Sequence, residues 1–250
     1  MQATLSPMLS LATREPSLPG ISSPTTDPAP TSSRAPLAHS TQSAARYIVV
    51  EGPIGVGKTT LTRALAQRLE AREVFEVFEE NPFLSSFYQD RERYAFQTQS
   101  FFLLSRFRQQ LELSQQELFQ RRTVSDYLFA KDRIFAALTL SDTELALYDR
   151  MFDALSPRLP RPDVVVYLRA DLDVLLSRIA ARGRSYEADF DRGYLLSLAR
   201  AYDDFFARYE DTPVVVVDSN ALNLRDDSDA VQALLDAVLG HGRGRLQYTP

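Results

Sequence analysis

The 250-residue chain has no cysteine and only two histidines, His39 and His241. Lack of cysteine excludes disulfides, thiolate metal sites and cysteine nucleophiles together. One histidine lies in a Pro/Ser/Thr-rich N-terminal stretch and the other in Gly240-His241-Gly242-Arg243-Gly244, so both read as solvated surface residues. Their scarcity nearly excludes a Ser-His-Asp triad or a multi-histidine metal site. Any general base is therefore expected to be a carboxylate. Basic residues form no tract and the net charge is −5, so nothing argues for a nucleic-acid backbone as partner. No apolar run approaches the roughly 18 residues of a membrane helix, and no signal-peptide core is visible. An intracellular, cytoplasmic protein is the expected setting.

What is present begins with Gly52-Pro53-Ile54-Gly55-Val56-Gly57-Lys58-Thr59, which satisfies G-x-x-x-x-G-K-[ST] at every specified position. A short apolar run of strand type, Arg46 to Glu51, precedes it. After it Leu61, Leu65, Ala66 and Leu69 recur at helical spacing. Strand, glycine-rich loop and helix form the context in which backbone N–H groups and a helix N-terminus cradle a phosphate. Lys58 is expected to reach the outer phosphates, and the Thr59 hydroxyl to ligate Mg2+. By itself this loop names a nucleotide but not its use.

Residues 1–45 carry seven of the 14 prolines and read as a disordered extension. A transit peptide is disfavoured there, with Arg14 and Arg34 too few and Glu15 and Asp27 present. One domain is expected over 46–240, with 241–250 a flexible C-terminal tail. The second strand is predicted over Val74–Phe78 and a long helix over Arg91–Phe119, with a break near Leu113-Ser114. A third strand follows at Thr123–Leu128. Helices are predicted at Lys131–Ala137 and Asp142–Leu155, the latter opening with Ser141 and Glu144 at capping-box spacing. Further strands are predicted at Asp163–Leu168 and Pro213–Val217, with helices at Asp171–Arg182, Leu195–Tyr209 and Asp227–Leu239. Five strands alternating with helices indicate an α/β doubly wound parallel sheet, whose ligands bind beyond the carboxyl ends of the strands.

Charged clusters follow those ends: Glu76, Glu79 and Glu80; Asp126, Lys131 and Asp132; and Arg178, Arg182 and Arg184 around Gly183, with Glu187 close behind. Singly, such acids often cap helices and such arginines are often a solvated face. Arg178 and Arg182, however, are four apart on one face, with Arg184 just past a chain-reversing glycine. Three guanidinium groups near a bound triphosphate suggest a phosphoryl-transfer clamp on a lid. No Asn-Lys-x-Asp element indicates a guanine-nucleotide switch.

From Arg46 to about Leu239 the chain resembles the deoxyribonucleoside kinases, most closely their bacterial deoxyadenosine and deoxyguanosine kinase branch. The resemblance rests on Glu-Gly-Pro-Ile-Gly-Val-Gly-Lys-Thr-Thr, Glu76-x-x-Glu-Glu-Asn-Pro-Phe-Leu with Phe87-Tyr88, Phe96 to Arg106, Ser125-Asp126-Tyr127, and Arg178-x-x-x-Arg182-Gly183-Arg184-x-x-Glu187. It implies a P-loop kinase using ATP and Mg2+, with Gly52 to Thr60 and the three lid arginines on the donor. It implies Glu76 as general base, with Glu79 as fallback. Tyr88, Gln99 and Arg106 keep the family's substrate-pocket spacing of eleven and then seven residues, with Gln97 ranked second to Gln99. Asp132 matches the base-pocket aspartate and Glu187 the acid that meets the sugar 3′-hydroxyl. Asp126 matches the acid of the Asp/Glu-Arg-Ser/Thr motif, expected near Mg2+, but Tyr127 stands where the arginine should be. Lys131, a turn later, is the expected substitute. A homodimer is implied by resemblance only.

The expected reaction is 5′-phosphorylation of deoxyadenosine, deoxyguanosine or both, in deoxynucleotide salvage. A thymidylate-kinase-like monophosphate kinase would need a further cationic site for its acceptor, and none stands out near Tyr88 to Arg106. A P-loop regulatory ATPase would not need a glutamate, tyrosine and glutamine at substrate-pocket spacing. The missing arginine also leaves room for a subunit active only with a partner.

Overall fold

The computed structural model describes residues 45–116, 122–184, 191–220, 222 and 227–249. In chain order the elements are β1 (Tyr47–Glu51), α1 (Lys58–Leu69), β2 (Arg72–Val74), α2 (Leu84–Gln89), α3 (Arg91–Gln116), β3 (Thr123–Ser125), α4 (Asp132–Thr139), α5 (Asp142–Leu155), β4 (Val164–Arg169), α6 (Leu172–Arg182), α7 (Arg192–Arg208), β5 (Val214–Asp218), α8 (Ser228–Gly240) and β6 (Arg245–Tyr248). All strand pairs are parallel, in the order β2-β3-β1-β4-β5-β6.

The central strands are apolar because both faces are covered. Ile48 and Val50 of β1 point to one face with Val164, Val166 and Leu168, where Leu61 and Leu65 of α1, Leu175 and Ile179 of α6 and Leu234 of α8 pack on them. Tyr47 and Val49 point to the other, with Val165, Tyr167, Ile134 of α4 and Leu198, Tyr202 and Phe206 of α7. This two-residue alternation is the strand period expressed as two cores. A separate cluster of Leu103, Ala136, Tyr148 and Phe152 joins α3, α4 and α5. The connection leaving β1 runs towards β2 and the one leaving β4 towards β5. The crevice at the ends of β1 and β4 is therefore the switch point of the sheet. Among the described residues no helix is long and apolar enough to cross a membrane.

Several boundaries differ from expectation. The sheet has six strands rather than five, and the sixth lies in residues read as a flexible tail. Val214 to Val217 of β5 pair with Arg245 to Tyr248, and Leu246 and Tyr248 pack against the core. Glycines and two arginines at 240–245 concealed a strand that an already apolar neighbour stabilises. β2 lies earlier than predicted, at Arg72–Val74, and β3 is shorter, since their pairing ends at Val74 and Ser125. Beyond those residues both segments leave the sheet to carry side chains into the crevice. Helix α3 runs through Leu113-Ser114 unbroken, with Leu113 packed against Val74 and Tyr127; the expected extension to Phe119 lies outside the described residues.

If β6 is a stabilising strand, Leu246→Ala lowers unfolding free energy by about 1 kcal/mol, the share due to a partly buried leucine. Denaturant titration would show this as a lower midpoint at unchanged slope; a loose tail would leave the midpoint where it is.

Candidate active site

The loop following β1 is shaped by its glycines. Gly52 has φ +152°, and a Cβ there would approach the Leu168 carbonyl oxygen to 2.3 Å. Gly55 has φ +85° and lies against the Leu175 carbonyl of α6. Neither position accommodates a side chain, so the loop stays tight against β4 and α6. Lys58, the first residue of α1, folds across it and donates to the Gly52 oxygen at 2.7 Å and the Pro53 oxygen at 3.2 Å. Burial draws the Lys58 pKa down, opposed first by the charge of Glu51.

Beside the loop lies a cleft of about 680 Å³, lined by Ile54, Gly55, Gly57, Lys58, Thr59, Thr60, Glu76, Tyr88, Gln99, Arg106, Asp126, Lys131, Arg178, Arg182 and Arg184 among others. That volume falls in the range of small-molecule sites. Most of the residues singled out from sequence therefore face one space. Gly52, Pro53 and Val56 complete the loop behind it. Glu187 lies outside the described residues.

Two carboxylates organise the floor. Asp126 accepts the Thr59 hydroxyl proton at 2.8 Å through Oδ2, and the Glu76 N–H at 2.8 Å through Oδ1. Burial pushes its pKa up, while those two donors counteract the effect. The Thr59 hydroxyl and Asp126 carboxylate are adjacent hard oxygen donors, and they fit Mg2+ of the kind held by one or two protein groups plus phosphate and water. Among the described residues no cluster of three or more His, Asp or Glu forms an all-protein metal cage.

Glu76 is bound by two cations. Lys131 Nζ donates to Oε2 at 2.5 Å, Arg106 Nε donates to Oε1 at 3.0 Å, and Arg106 Nη2 donates to the same oxygen. Burial opposes ionisation of Glu76, but Arg106 and then Lys131 outweigh it and hold the carboxyl well below the usual range. Arg106 also pairs through Nη1 with the fully buried Asp132, and its guanidinium lies 4.5 Å from the Phe102 ring centre. Burial disfavours the Arg106 charge, yet Glu76 more than restores it and raises the pKa. Asp132 does not line the cleft, so any contribution to it passes through Arg106. Glu79 and Gln97 are exposed and line no part of it.

The three arginines expected on a lid all line the cleft. Arg178 donates to the Val56 carbonyl at 3.0 Å, to the Ser219 hydroxyl at 3.1 Å and to the Ser219 carbonyl at 2.7 Å. Arg184 lies over the Phe78 ring at 3.9 Å, and Arg182, the last residue of α6, is exposed. All three residues thus border one space, with Arg178 also holding loop backbone and Arg184 also stacked on an aromatic.

Sequence reasoning overlooked the aromatic walls. Phe87, Phe102, Phe135 and Tyr194 line the cleft, with Tyr88 edge-on to Phe87 at 5.5 Å. Apolar periodicity on a helix gives no means of separating a cleft wall from a core residue. Arg63, four residues beyond Thr59 on α1, was detectable by helical spacing alone.

A six-stranded parallel sheet with a phosphate loop at its switch point, facing a carboxylate held between two cations, defines a P-loop phosphotransferase. A profile of the deoxynucleoside kinase family matches residues 48–241, and the chain belongs to that family. Deoxyguanosine kinase of Bacillus subtilis (strain 168) is 38% identical over 160 residues, covering 64% of this chain and 77% of the relative. Deoxyadenosine/deoxycytidine kinase of the same strain is 32% identical over 200 residues, covering 76% and 90%. The structure of deoxyadenosine kinase from M. mycoides with bound dATP superposes with a TM-score of 0.67 at 26% identity, covering 76% of this chain and 99% of that one.

The depressed pKa of Glu76 has a sign that can be measured. Its ordinary value is 4.5, and the folded value lies below it. Stability from the ionised group is therefore complete above about pH 4.5 and is lost as pH falls towards the folded value. Thermal unfolding of wild type and Glu76→Gln should show a constant Tm gap from pH 8 to about pH 5 that narrows below about pH 4.5. A gap that widens on acidification would reverse the sign.

Proposed function

We propose that the protein transfers the γ-phosphoryl group of ATP to the 5′-hydroxyl of a purine deoxynucleoside. The observation that carries this reading is the Glu76 carboxylate, held by Arg106 and Lys131 in the same cleft as Lys58 and the phosphate loop. The deoxynucleoside would lie between Tyr88, Gln99, Arg106 and the aromatic walls, with its hydroxyl on Glu76. The triphosphate would lie on the Gly52–Thr60 backbone, and Lys58, Arg182 and Arg184 would meet its charge. Glu187 is proposed to meet the sugar 3′-hydroxyl. Arg178 serves the donor side by holding the loop through Val56.

Glu76 stays ionised and accepts the hydroxyl proton as the phosphoryl group departs. A carboxylate shared with two cations is a weak base, which a loose phosphoryl-transfer transition state tolerates because nucleophile deprotonation need not run ahead of bond formation. Lys131 stands in for the absent arginine, compensating a buried anion and offering a cation beside the reacting oxygen. Thr59 and Asp126 would hold Mg2+, which when bound neutralises charge between the outer phosphates. The purine assignment draws on Gln99, which can donate and accept towards an adenine edge, and on relatives named deoxyguanosine kinase and deoxyadenosine kinase. Cytoplasmic salvage by a homodimer is part of the same proposal. The exposed Leu104 of α3 and Leu147 of α5 support the dimer.

The test is a panel of the common deoxynucleosides and deoxynucleoside monophosphates with Mg-ATP, scored for phosphorylated product. Deoxyguanosine or deoxyadenosine should be used best; preference for a monophosphate, or hydrolysis without transfer, would falsify the proposal. Glu76→Gln should lose about 100-fold or more in kcat while still binding nucleoside. Lys131→Met should lose about 100-fold in kcat, the scale of one preorganised charge donor. Normal kcat in Lys131→Met would return the role to another cation.

A further inference from the structure

The last backbone pair between β1 and β3 is Val49 with Ser125, and past it the two strands diverge around the floor of the cleft. The Glu51 carboxylate spans that gap. Its Oε1 accepts the Gly52 N–H at 2.8 Å, and its Oε2 accepts the Leu128 N–H at 2.7 Å. From α7, the Tyr202 hydroxyl donates to Oε1 at 3.1 Å. Glu51 is fully buried, and among the described residues no lysine, arginine or histidine forms an ion pair with it. Three donors satisfy this buried carboxylate, with the Lys58 charge close enough to interact with it.

We infer that Glu51, oriented by Tyr202, is a positioning residue that fixes the spacing between the phosphate loop and the segment bearing Asp126 and Lys131. The inference rests on the kinase reading above. One joined end carries Gly52, the start of the loop that presents Lys58 and Thr59. The other, at Leu128, lies between Asp126, which bonds Thr59, and Lys131, which bonds Glu76. A carboxylate suits this bridge because every neighbour donates and none accepts. Glutamine retains length but supplies one acceptor and an NH2 that would confront an N–H. Aspartate retains charge but is a methylene too short to reach both backbones. Tyr202 is itself braced, its ring parallel to Tyr167 at 6.4 Å and edge-on to Phe135, a cleft wall, at 6.1 Å.

The experiment measures kcat with the preferred deoxynucleoside, equilibrium nucleoside affinity and Tm for wild type, Glu51→Gln, Glu51→Asp and Tyr202→Phe. Glu51→Gln should lose about 100-fold in kcat, the scale of a small misplacement of reacting groups, with nucleoside affinity unchanged. Glu51→Asp should not restore the rate. A wild-type kcat in Glu51→Gln or Glu51→Asp, or nucleoside affinity falling in step with kcat, overturns the inference. If the Glu51 variants do not fold, Tyr202→Phe decides: a loss of about 5-fold in kcat, the equivalent of one hydrogen bond, supports the role. Unchanged kcat with lowered Tm leaves Tyr202 purely structural and overturns it. A wild type inactive on every deoxynucleoside removes the kinase reading and this inference together, whereas an active wild type matched by Glu51→Gln removes this inference alone.

Discussion

A carboxylate buried at the end of a parallel strand must find donors or cations, and this requirement shapes the crevice. The sheet's own hydrogen bonds between β1 and β3 stop at Val49 and Ser125. Glu51 and Asp126 take over from there, bonding backbone N–H groups at Gly52, Leu128 and Glu76 and the hydroxyls of Thr59 and Tyr202. Glu76, one step further into the cleft, is satisfied by Arg106 and Lys131, and Arg106 by Asp132 behind it. Removing one of the ion-paired members leaves another buried charge exposed to its desolvation penalty, and removing Glu51 or Asp126 leaves N–H and hydroxyl donors without their acceptor. Stability and the geometry of the cleft are thus specified by the same bonds.

Tyr127 illustrates how such a network accommodates a change of residue. The arginine of the family motif is absent, and Tyr127 instead turns into the apolar cluster with Val74 and Leu113. In the proposed reading Lys131 supplies the positive charge; its ammonium reaches Glu76 and lies 5.8 Å from the Tyr127 ring. Lysine is a compact charge without the planar fork of arginine, so it compensates Glu76 at one oxygen and leaves the other to Arg106. Such an exchange would suit a phosphotransferase, whose chemistry asks for placed charge more than for a particular donor shape.

Much of the fold was legible from local pattern. The apolar runs at 47–51, 164–168 and 214–217 are strands buried on both faces, and the 142–155 helix lies where its capping residues put it. Errors fell where local pattern competes with long-range pairing. Arg245 to Tyr248 alternate polar and apolar over only four residues and follow a glycine-rich run, yet the unsatisfied edge of β5 recruits them. Phe75 to Phe78 read as strand by composition, but Asp126 draws the Glu76 N–H out of the sheet. In the site, heptad spacing was enough to put Gln99 and Arg106 on one face of α3, and both line the cleft while Gln97 is exposed.

The sequence by itself determined the phosphate loop, the succession of strands and helices, and the residue types available for chemistry, because these depend on neighbours within a few positions. With no cysteine and only two histidines, it also narrowed the expected base to a carboxylate. Which carboxylate stands where was decided only by tertiary structure. Glu51, Glu76, Asp126 and Asp132 are equally acidic in the chain, but folding brings Thr59 and Lys131 to different ones and leaves Glu79 exposed. The partners that distinguish these groups are 55 and 67 residues away in the two cases that bind Glu76 and Asp126. Only the closed sheet brings such groups within hydrogen-bonding distance.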